Sequence, residues 1–238
     1  MKQLNFGSGL TKRIVFLSVC LLLLSGIDNV LAQNPTQDPD GPPTSGGPYL
    51  SSDLVELVSL DPTIKLDIRY ATTNNFTGRA IYSEARAFMQ RPAAEALVAA
   101  NQWLAKQGYG LLVYDAYRPW SVTKYFWDIT PPDKRIFVAD PAEGSRHNRG
   151  CAVDIGLYNL HTGAAIEMTG AYDEMSERSF VTYTGGTAEQ RAHRDLLRQA
   201  LERDGYFFVL PEEWWHYDYR DFHDYAVQNI SFEEVTVP

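Results

Sequence analysis

The chain has 238 residues, with 30 acidic against 21 basic residues and a formal net charge of −9 at pH 7. This excess of negative charge gives no electrostatic reason to bind nucleic acid or an anionic membrane. Without its N-terminal segment, the chain still suits one domain with a sizeable core. We therefore expect no nucleic-acid partner, no membrane partner for a processed chain, and no obligate protein partner.

Residues 1–32 have the pattern of a secretory signal peptide. Basic residues near the start precede an almost unbroken apolar run over 14–24, and Val30-Leu31-Ala32 fits a cleavage site. The apolar run is shorter than the roughly 20 residues that a membrane-spanning helix needs, so we favour cleavage over an anchor. We therefore predict an exported protein, either periplasmic or secreted. One of the two cysteines lies in this segment, so Cys151 is left unpaired and is expected to be a small buried residue.

The next predicted elements are a linker and the first part of a folded domain. Residues 33–48 are rich in Pro, Gly, Asp and Ser and predict a flexible linker before a domain over 49–238. Residues 63–70 (TIKLDIRY) alternate apolar and polar side chains, which is typical of a strand. Residues 92–107 have helical spacing, with a proline suited to the first turn and Gly108 suited to the end.

Further along, residues 110–115 predict a strand, and a short helix is expected through Trp127. Thr187 to Gln190 reads as a capping box that opens a helix ending before Gly205. The remaining predicted strands are 206–210 and 214–219. This order of helices and short, non-adjacent strands predicts an α+β fold, a single domain with a largely antiparallel central sheet flanked by helices.

Two stretches carry candidate metal ligands, SRHNRGCAVD at 145–154 and EEWWHYDY at 212–219. His147, Asp154 and His216 would give the nitrogen and oxygen ligands that zinc accepts in hydrolases, with one position left for water. His147 and Asp154 would face opposite ways on one straight strand, and Gly150 offers the bend that could bring them together. From the residues alone, His161, His193 and His223 remain competing ligands, although solvated side chains are their simpler interpretation.

Glu213 precedes His216 by three residues and would stand at the start of its strand. A carboxylate there could reach a water molecule at the metal without binding the metal itself. Such a group would accept the proton of the water and pass it to a leaving amine. The chain contains no HExxH helix motif.

The stretch at 145–154 resembles the SxHxxGxAxD signature of zinc peptidases that cleave D-amino-acid bonds in cell-wall peptides, and EWWH resembles their ExxH segment. The runs RYATTNNFTG, GYGLLVYDAYRP, HTGAAIEM, MSERSF and EWWHY are similar to D-alanyl-D-alanine dipeptidases of the VanX type. This resemblance extends from about Asp53 to Asp221. The MSERSF run and Cys151 depart locally from the usual pattern, and the signal segment differs from cytoplasmic members.

The resemblance implies one Zn²⁺ per chain, bound by His147, Asp154 and His216, and a small D,D-dipeptide substrate. It implies the remaining roles too: Glu213 as general base, Arg118 for the oxyanion, Asp173 for the substrate ammonium group, and Ser145 and Tyr70 near the substrate. Two alternatives remain at this point. One is a D,D- or L,D-carboxypeptidase on longer peptidoglycan peptides, and the other is a non-catalytic zinc-containing module that binds the cell wall.

Overall fold

A five-stranded sheet lies at the centre of the protein in the computed structural model, which describes residues 41–44 and 46–235. The strands are β1 (Leu54–Glu56), β2 (Lys65–Leu66), β3 (Phe88–Gln90), β4 (Tyr109–Asp115), β5 (Ala152–Asn159), β6 (Phe207–Leu210) and β7 (Glu213–Tyr219). The α-helices are α1 (Leu57–Leu60), α2 (Arg91–Ala105), α3 (Trp120–Ile129) and α4 (Ala188–Glu202). The central sheet has the order β2-β4-β5-β7-β6, while β1 and β3 form a separate antiparallel pair.

The central sheet is mostly antiparallel, because only β2 and β4 run parallel. Its middle strands are almost entirely buried, and α2 packs on β4 while α4 packs on β5, β6 and β7. Strand side chains alternate between the two faces of a sheet, so the buried Val153 and Ile155 point away from the face that carries Asp154. The structure therefore confirms the predicted α+β domain with a largely antiparallel sheet.

The two long helices begin and end where their sequence signals indicate. Pro92 lies in the first turn of α2, and Gly108 adopts a positive φ of 87° just after this helix. Thr187 and Gln190 form the complete capping box at the start of α4: the Gln190 N–H donates to Thr187 Oγ1 over 3.1 Å, and the Thr187 N–H donates to Gln190 Oε1 over 2.8 Å. Local signals of this kind act within one or two turns, which is why they could be predicted from the sequence.

The strand predicted over residues 63–70 is much shorter in the structure. Only β2 pairs with β4, and the chain then turns into a 3-10 helix at Arg69–Ala71. The carbonyl of Tyr70 accepts hydrogen bonds from the N–H groups of Ile81 and Tyr82 in the following loop, so it is not free to extend a ladder. The alternating pattern was therefore a correct signal for half-buried residues, but the prediction of a long strand was wrong.

The β1–β3 pair was missed because three-residue strands are too short to show a period of two. The residue of this pair that hydrogen-bonds to the turn after His147 is Gln90, which is fully buried. The Gln90 N–H donates to the carbonyl of Gly150 over 2.8 Å, and its side-chain amide donates to the carbonyl of Arg149 over 2.9 Å. The small sheet thus holds the turn between His147 and Asp154 in place.

The predicted signal peptide (1–32) and most of the predicted linker (33–48) lie outside the described residues. Within 41–44 and 46–235, no helix combines the length and the apolar character that crossing a membrane requires. Cys151 is buried and is a free thiol, as its surroundings in the sequence indicated.

Replacing Gly150 with alanine should destabilise the protein more than the same change at another left-handed glycine. Gly150 has a φ of 69°, and a Cβ there would lie 2.4 Å from Leu54 Cδ2 and 3.3 Å from Gln90 N. We expect a loss of about 1–2 kcal/mol for the left-handed backbone and a further ~1–3 kcal/mol for the steric overlap. Gly205→Ala is the matched control, because Gly205 has a φ of 70° with no atom within 4 Å of the added carbon. Equal losses for the two variants in urea denaturation would contradict this account.

Candidate active site

The first predicted ligand stands on a tight turn that leads into the sheet. His147 begins the 3-10 turn His147–Arg149, and Gly150 closes it in the left-handed conformation. The Gly150 N–H donates to the carbonyl of His147 over 3.0 Å, and the Arg118 N–H donates to the same carbonyl over 3.2 Å. Gly150 thus provides the bend that the sequence suggested, and His147 reaches the same site as Asp154.

Asp154 and His216 are direct cross-strand neighbours on β5 and β7, and Asp115 of β4 is aligned with Asp154 on the other side. Three acceptor atoms converge beside this row. His147 Nε2 lies 3.1 Å from His216 Nδ1 and 3.3 Å from Asp154 Oδ1, and His216 Nδ1 lies 3.1 Å from Asp154 Oδ1. Among the described residues, these three form the cluster able to hold a metal ion, and all three are buried.

The outer hydrogen bonds of the two histidines fix which ring nitrogen faces the cluster. His147 Nδ1 lies 2.6 Å from the carbonyl oxygen of Ala116, and His216 Nε2 lies 2.9 Å from Asp218 Oδ1. Each of these acceptors requires the proton on the outer nitrogen, so His147 Nε2 and His216 Nδ1 present lone pairs inward. When both rings are neutral, two lone pairs and a carboxylate oxygen face one another, and a proton or a metal ion bound between them would relieve their repulsion.

The spacing of these three atoms fits a small tetrahedral cation. Ligands about 2.0–2.1 Å from a tetrahedral zinc stand about 3.3 Å apart, which matches the three distances. The cluster also attracts positive charge: burial alone would lower the pKa of His216, but Asp218 and Asp154 raise that pKa well above its usual value. Burial would raise the pKa of Asp154, yet His147 and His216 hold it well below its usual range. The residues therefore fit a bound metal ion.

Glu213 reaches the cluster through a bulge at the start of β7. Val209 pairs with Tyr217 and the next residue, Leu210, pairs with Glu213, so β7 carries three extra residues opposite one step of β6. The bulge places Glu213 Oε2 3.7 Å from His216 Nδ1 although the two residues are three apart on a strand. Loss of solvation raises the pKa of Glu213 to about 8 against the lowering effect of His216. A carboxyl group titrating in this range suits proton transfer near neutral pH.

Arg118 is buried beside the cluster and is held by a carboxylate. Its Nε and Nη2 atoms each lie 2.8 Å from Asp115 Oδ2, and Nη2 lies 3.6 Å from Asp154 Oδ2. Asp115 also accepts hydrogen bonds from the hydroxyl of Tyr82 and from the Ala116 N–H, both over 2.9 Å. This arrangement fixes a positive charge next to the three candidate ligands.

Asp173 and Tyr70 contact each other near the three candidate ligands, and both line the cavity described below. The hydroxyl of Tyr70 donates to the Asp173 carboxylate, with distances of 2.9 and 3.1 Å to its two oxygens. Asp173 has a φ of 61° and is the non-glycine residue with positive φ in the described chain. Loss of solvation, followed by repulsion from Asp154, raises the pKa of Asp173 to about 7. A nearby cation would reverse this shift, because it would stabilise the ionised carboxylate.

One cavity of about 180 Å³ gathers every site residue that the sequence predicted. Ser145, for example, lines this cavity and also accepts a hydrogen bond from the His147 N–H over 3.2 Å. The predicted site residues among its lining are Tyr70, Arg118, Ser145, His147, Asp154, Asp173, Glu213 and His216. The apolar part of the wall consists of Phe76, Phe126, Ile136, Phe137, Val138, Ala139, Met175, Leu210 and Trp215.

The other histidines lie outside the cluster. His161 is in an exposed turn after β5, and His223 is exposed near the C-terminal end of the described chain. His193 is half-buried on α4 with Nε2 3.2 Å from the hydroxyl of Tyr109, so it is less solvated than its polar surroundings in the sequence suggested.

Three supporting residues were missed by the sequence interpretation. Tyr172 donates its hydroxyl to Asp154 Oδ2 over 3.0 Å, and Asp115 and Asp218 contact Arg118 and His216 as described above. A signal was available for Asp218, because residues two apart on a strand share a face with His216. No local pattern indicated Tyr172, which comes from a loop.

The family comparison agrees with these observations. The model of the peptidase family M15, described as D-Ala-D-Ala dipeptidase, matches residues 50–235. The D-alanyl-D-alanine dipeptidase of Escherichia coli is 33% identical over 168 residues, covering 71% of this chain and 85% of that protein.

Dipeptidases of the same description from two enterococci are similar. The protein from Enterococcus faecium is 35% identical and that from Enterococcus faecalis 36% identical. They cover 66% and 65% of this chain and 87% and 85% of their own lengths. The solved structure of the LdcB LD-carboxypeptidase is 20% identical with a TM-score of 0.40, covering 80% of this chain and 82% of that one; this likeness is too distant to carry an argument.

Replacing His216 with alanine should remove bound metal. The change leaves two of the three converging ligand atoms, which are too few for a stable tetrahedral site. We expect stoichiometric metal in the unaltered protein and a strongly reduced content in the variant, measured by mass spectrometry of metals after dialysis. His161→Ala is the matched control and should keep its metal, because His161 is exposed and outside the cluster. Full metal content in His216→Ala would remove His216 from the ligand set.

Proposed function

The chain belongs to the M15 metallopeptidase family of D-Ala-D-Ala dipeptidases, and on this premise we propose that it hydrolyses free D-Ala-D-Ala with zinc and a water molecule activated by Glu213. The observation that supports this proposal best is the position of Glu213. Its carboxylate lies beside the inward nitrogen of His216, in the same cavity as the three ligand atoms but outside their set.

In this proposal, His147, Asp154 and His216 hold the zinc ion. A zinc ion bound there would act as a Lewis acid: it would polarise the scissile carbonyl and lower the pKa of a bound water molecule. Glu213 takes a proton from the attacking water and later delivers it to the nitrogen of the leaving amine. The amide C–N bond breaks as water adds across it, and the products are two D-alanine molecules.

Arg118 stabilises the negative charge that develops on the former carbonyl oxygen. Its guanidinium is already fixed by Asp115, so little reorganisation is needed when this charge appears. Its ring contacts support the same orientation, since the guanidinium carbon lies 5.4 Å from the centre of the Tyr70 ring and 5.0 Å from that of Phe126.

Asp173 binds the ammonium group of the dipeptide, and Ser145 and Tyr70 stand beside the substrate. The raised pKa of Asp173 supports this role, because burial makes the carboxylate costly to ionise there even though Arg118 lowers that pKa. The ammonium group of a free dipeptide would supply the missing positive charge. The strain of a positive φ at Asp173 is also typical of residues placed for function.

We also propose that residues 1–32 direct export, so that the cavity meets dipeptides outside the cytoplasmic membrane. This proposal rests on the sequence pattern alone. Sequencing the N terminus of the protein from the cell envelope tests it, and an uncleaved cytoplasmic protein would contradict it.

The proposed role of Asp173 predicts that the protein prefers a free dipeptide to an N-acylated one. Free D-Ala-D-Ala should be hydrolysed, a metal chelator should stop the reaction, and N-acetyl-D-Ala-D-Ala should react with a kcat/KM roughly 100-fold lower. The reason is that acetylation removes the charge that Asp173 would bind, and hydrogen bonds to charged groups contribute about 1.5–3 kcal/mol. Asp173→Asn should narrow this gap by slowing the reaction of the free dipeptide.

Glu177→Gln serves as the control for Asp173→Asn, because Glu177 is an exposed acidic residue of the same loop. Comparable rates for the free and acetylated dipeptides in the unaltered protein would contradict the dipeptidase proposal. Faster cleavage of longer wall peptides would favour the carboxypeptidase alternative, and binding of zinc without hydrolysis of any of these peptides would favour the non-catalytic module.

The proposed role of Glu213 as general base predicts a loss of turnover without a loss of metal. Glu213→Gln should keep its metal and lose turnover by about 10²–10⁴-fold, since general acid–base catalysis contributes about this much. Metal analysis and steady-state kinetics check the two halves of this statement separately. The neighbouring Glu212→Gln is the matched control, because Glu212 does not line the cavity. Near-normal turnover in Glu213→Gln, with a defect in Glu212→Gln, would transfer the role to Glu212.

A further inference from the structure

A chain of polar contacts, one hydrogen bond and one ion pair, extends outward from one of the three candidate ligands. His216 Nε2 lies 2.9 Å from Asp218 Oδ1, and the other oxygen of Asp218 lies 3.5 Å from Arg146 Nε. The side chain of Asp218 is 15% exposed, whereas that of Arg146 is 44% exposed and packs with its guanidinium carbon 4.9 Å from the Phe222 ring centre. The chain therefore runs from the buried cluster towards the surface.

The three candidate ligands are supported in different ways. The outer nitrogen of His147 faces a main-chain carbonyl, that of Ala116, and the outer oxygen of Asp154 accepts from the hydroxyl of Tyr172. His147 Nδ1 also lies 4.0 Å from Asp115 Oδ2, which is beyond hydrogen-bonding distance, so among these three only His216 has a carboxylate as its outer hydrogen-bond partner. The support of His216 thus carries a negative charge that the proposed mechanism leaves without a role.

We propose that Asp218, supported by Arg146, is a positioning residue that keeps His216 in its metal-binding form and thereby sets the metal affinity of the site. This inference rests on the proposed metallopeptidase function. A neutral imidazole carries one proton, and the ring can bind a metal through Nδ1 only when that proton is on Nε2. Asp218 accepts a hydrogen bond at Nε2, so it selects this tautomer and fixes the angle of the ring.

The charge of Asp218 adds to its geometric effect. A carboxylate that accepts the outer N–H of a histidine makes the ring a stronger electron donor to a metal, and losing such a partner typically costs 10–100-fold in metal affinity. Arg146 neutralises the second oxygen of Asp218 and limits its rotation. Because this contact is long and half-exposed, Arg146 contributes much less than Asp218 does.

The backbone of Arg146 is fixed independently of its side chain. Its carbonyl accepts hydrogen bonds from the N–H groups of Arg149 and Cys151, both over 3.1 Å, within the turn that carries His147. Truncating the Arg146 side chain therefore leaves this turn in place. The effects of Asp218 and Arg146 on the metal can then be separated from a general collapse of the site.

The experiment measures zinc affinity by competition with a chromophoric chelator for the unaltered full chain and for variants. Asp218→Ala should bind zinc about 10–100-fold more weakly than the unaltered protein. Asp218→Asn keeps an acceptor oxygen without the charge, so its zinc affinity should lie between that of the unaltered protein and that of Asp218→Ala. Arg146→Ala should lose less than about 5-fold. Asp221→Ala is the matched control and should be unchanged, because Asp221 is a partly exposed acidic residue paired with Arg220 over 3.0 Å.

A second readout distinguishes positioning from a general structural effect. In the zinc-loaded protein with ¹⁵N-labelled histidine, the Nε2 proton of His216 should show the low-field shift of a hydrogen bond to a carboxylate. Asp218→Ala should lose this shift, while the Nδ1 proton of His147, bonded to a main-chain carbonyl, should keep its own. Simultaneous changes at both histidines would indicate a collapsed site and would overturn the proposal.

The outcomes separate this inference from the proposed function. Zinc affinity unchanged in both Asp218 variants would overturn the positioning role even if the unaltered protein hydrolyses D-Ala-D-Ala. Weakened zinc binding in a protein that does not hydrolyse the dipeptide would support the positioning role and overturn the dipeptidase proposal. If Asp218→Ala does not fold, the nearly isosteric Asp218→Asn decides, and zinc affinity equal to that of the unaltered protein overturns the inference.

Discussion

The structure depends on bringing three electron-pair donors together where water has little access. His147 Nε2, His216 Nδ1 and Asp154 Oδ1 stand 3.1–3.3 Å apart in a buried position, which is unfavourable unless positive charge lies among them. Separate parts of the fold hold each donor: a turn fixed by Gln90 and Gly150, a central strand and a bulged strand. The sheet supplies the register, because Asp154 and His216 face each other across β5 and β7.

The balance of charge around the cavity follows from the same constraint. Four acidic residues line it, Asp154, Asp173, Glu174 and Glu213, while the charge of the buried Arg118 is largely committed to Asp115. Burial raises the pKa of Asp173 to about 7 and that of Glu213 to about 8, so ionising these carboxylates together with Asp154 is unfavourable without added positive charge. A cation bound in the cavity would relieve this excess of negative charge.

The sequence indicated which residues would lie together in one cavity more accurately than it indicated the strands around them. The identities of His147, Asp154, His216 and Glu213 followed from ligand chemistry and from the family resemblance, and all four line one cavity. Helix ends were predictable because a proline, a glycine or a capping box acts on its own few residues. The short strand at Lys65–Leu66 and the pair β1–β3 were not, because their hydrogen bonds depend on partners far along the chain.

The residues that support the site also divide into those that a local sequence pattern indicates and those that depend on the folded backbone. Tyr172 reaches Asp154 from a loop, and the β7 bulge aligns Glu213 with His216, which plain strand alternation would place on opposite faces. The motif spacing therefore indicates the candidate site residues, while the irregular backbone that brings them together is visible only in the folded structure. Asp218 is the exception, since the period of a strand alone would have placed it beside His216.

The position of His216 along the chain has a consequence for when a metal ion could be held as the protein folds. His216 follows His147 by 69 residues and lies on β7, the last strand of the described residues. Until β7 has joined the sheet, only the histidine and the aspartate of the first stretch are in place, and two ligands hold a metal ion weakly. A metal ion held by all three residues would therefore bind only after β5 and β7 have paired, and its presence would report that this pairing has formed.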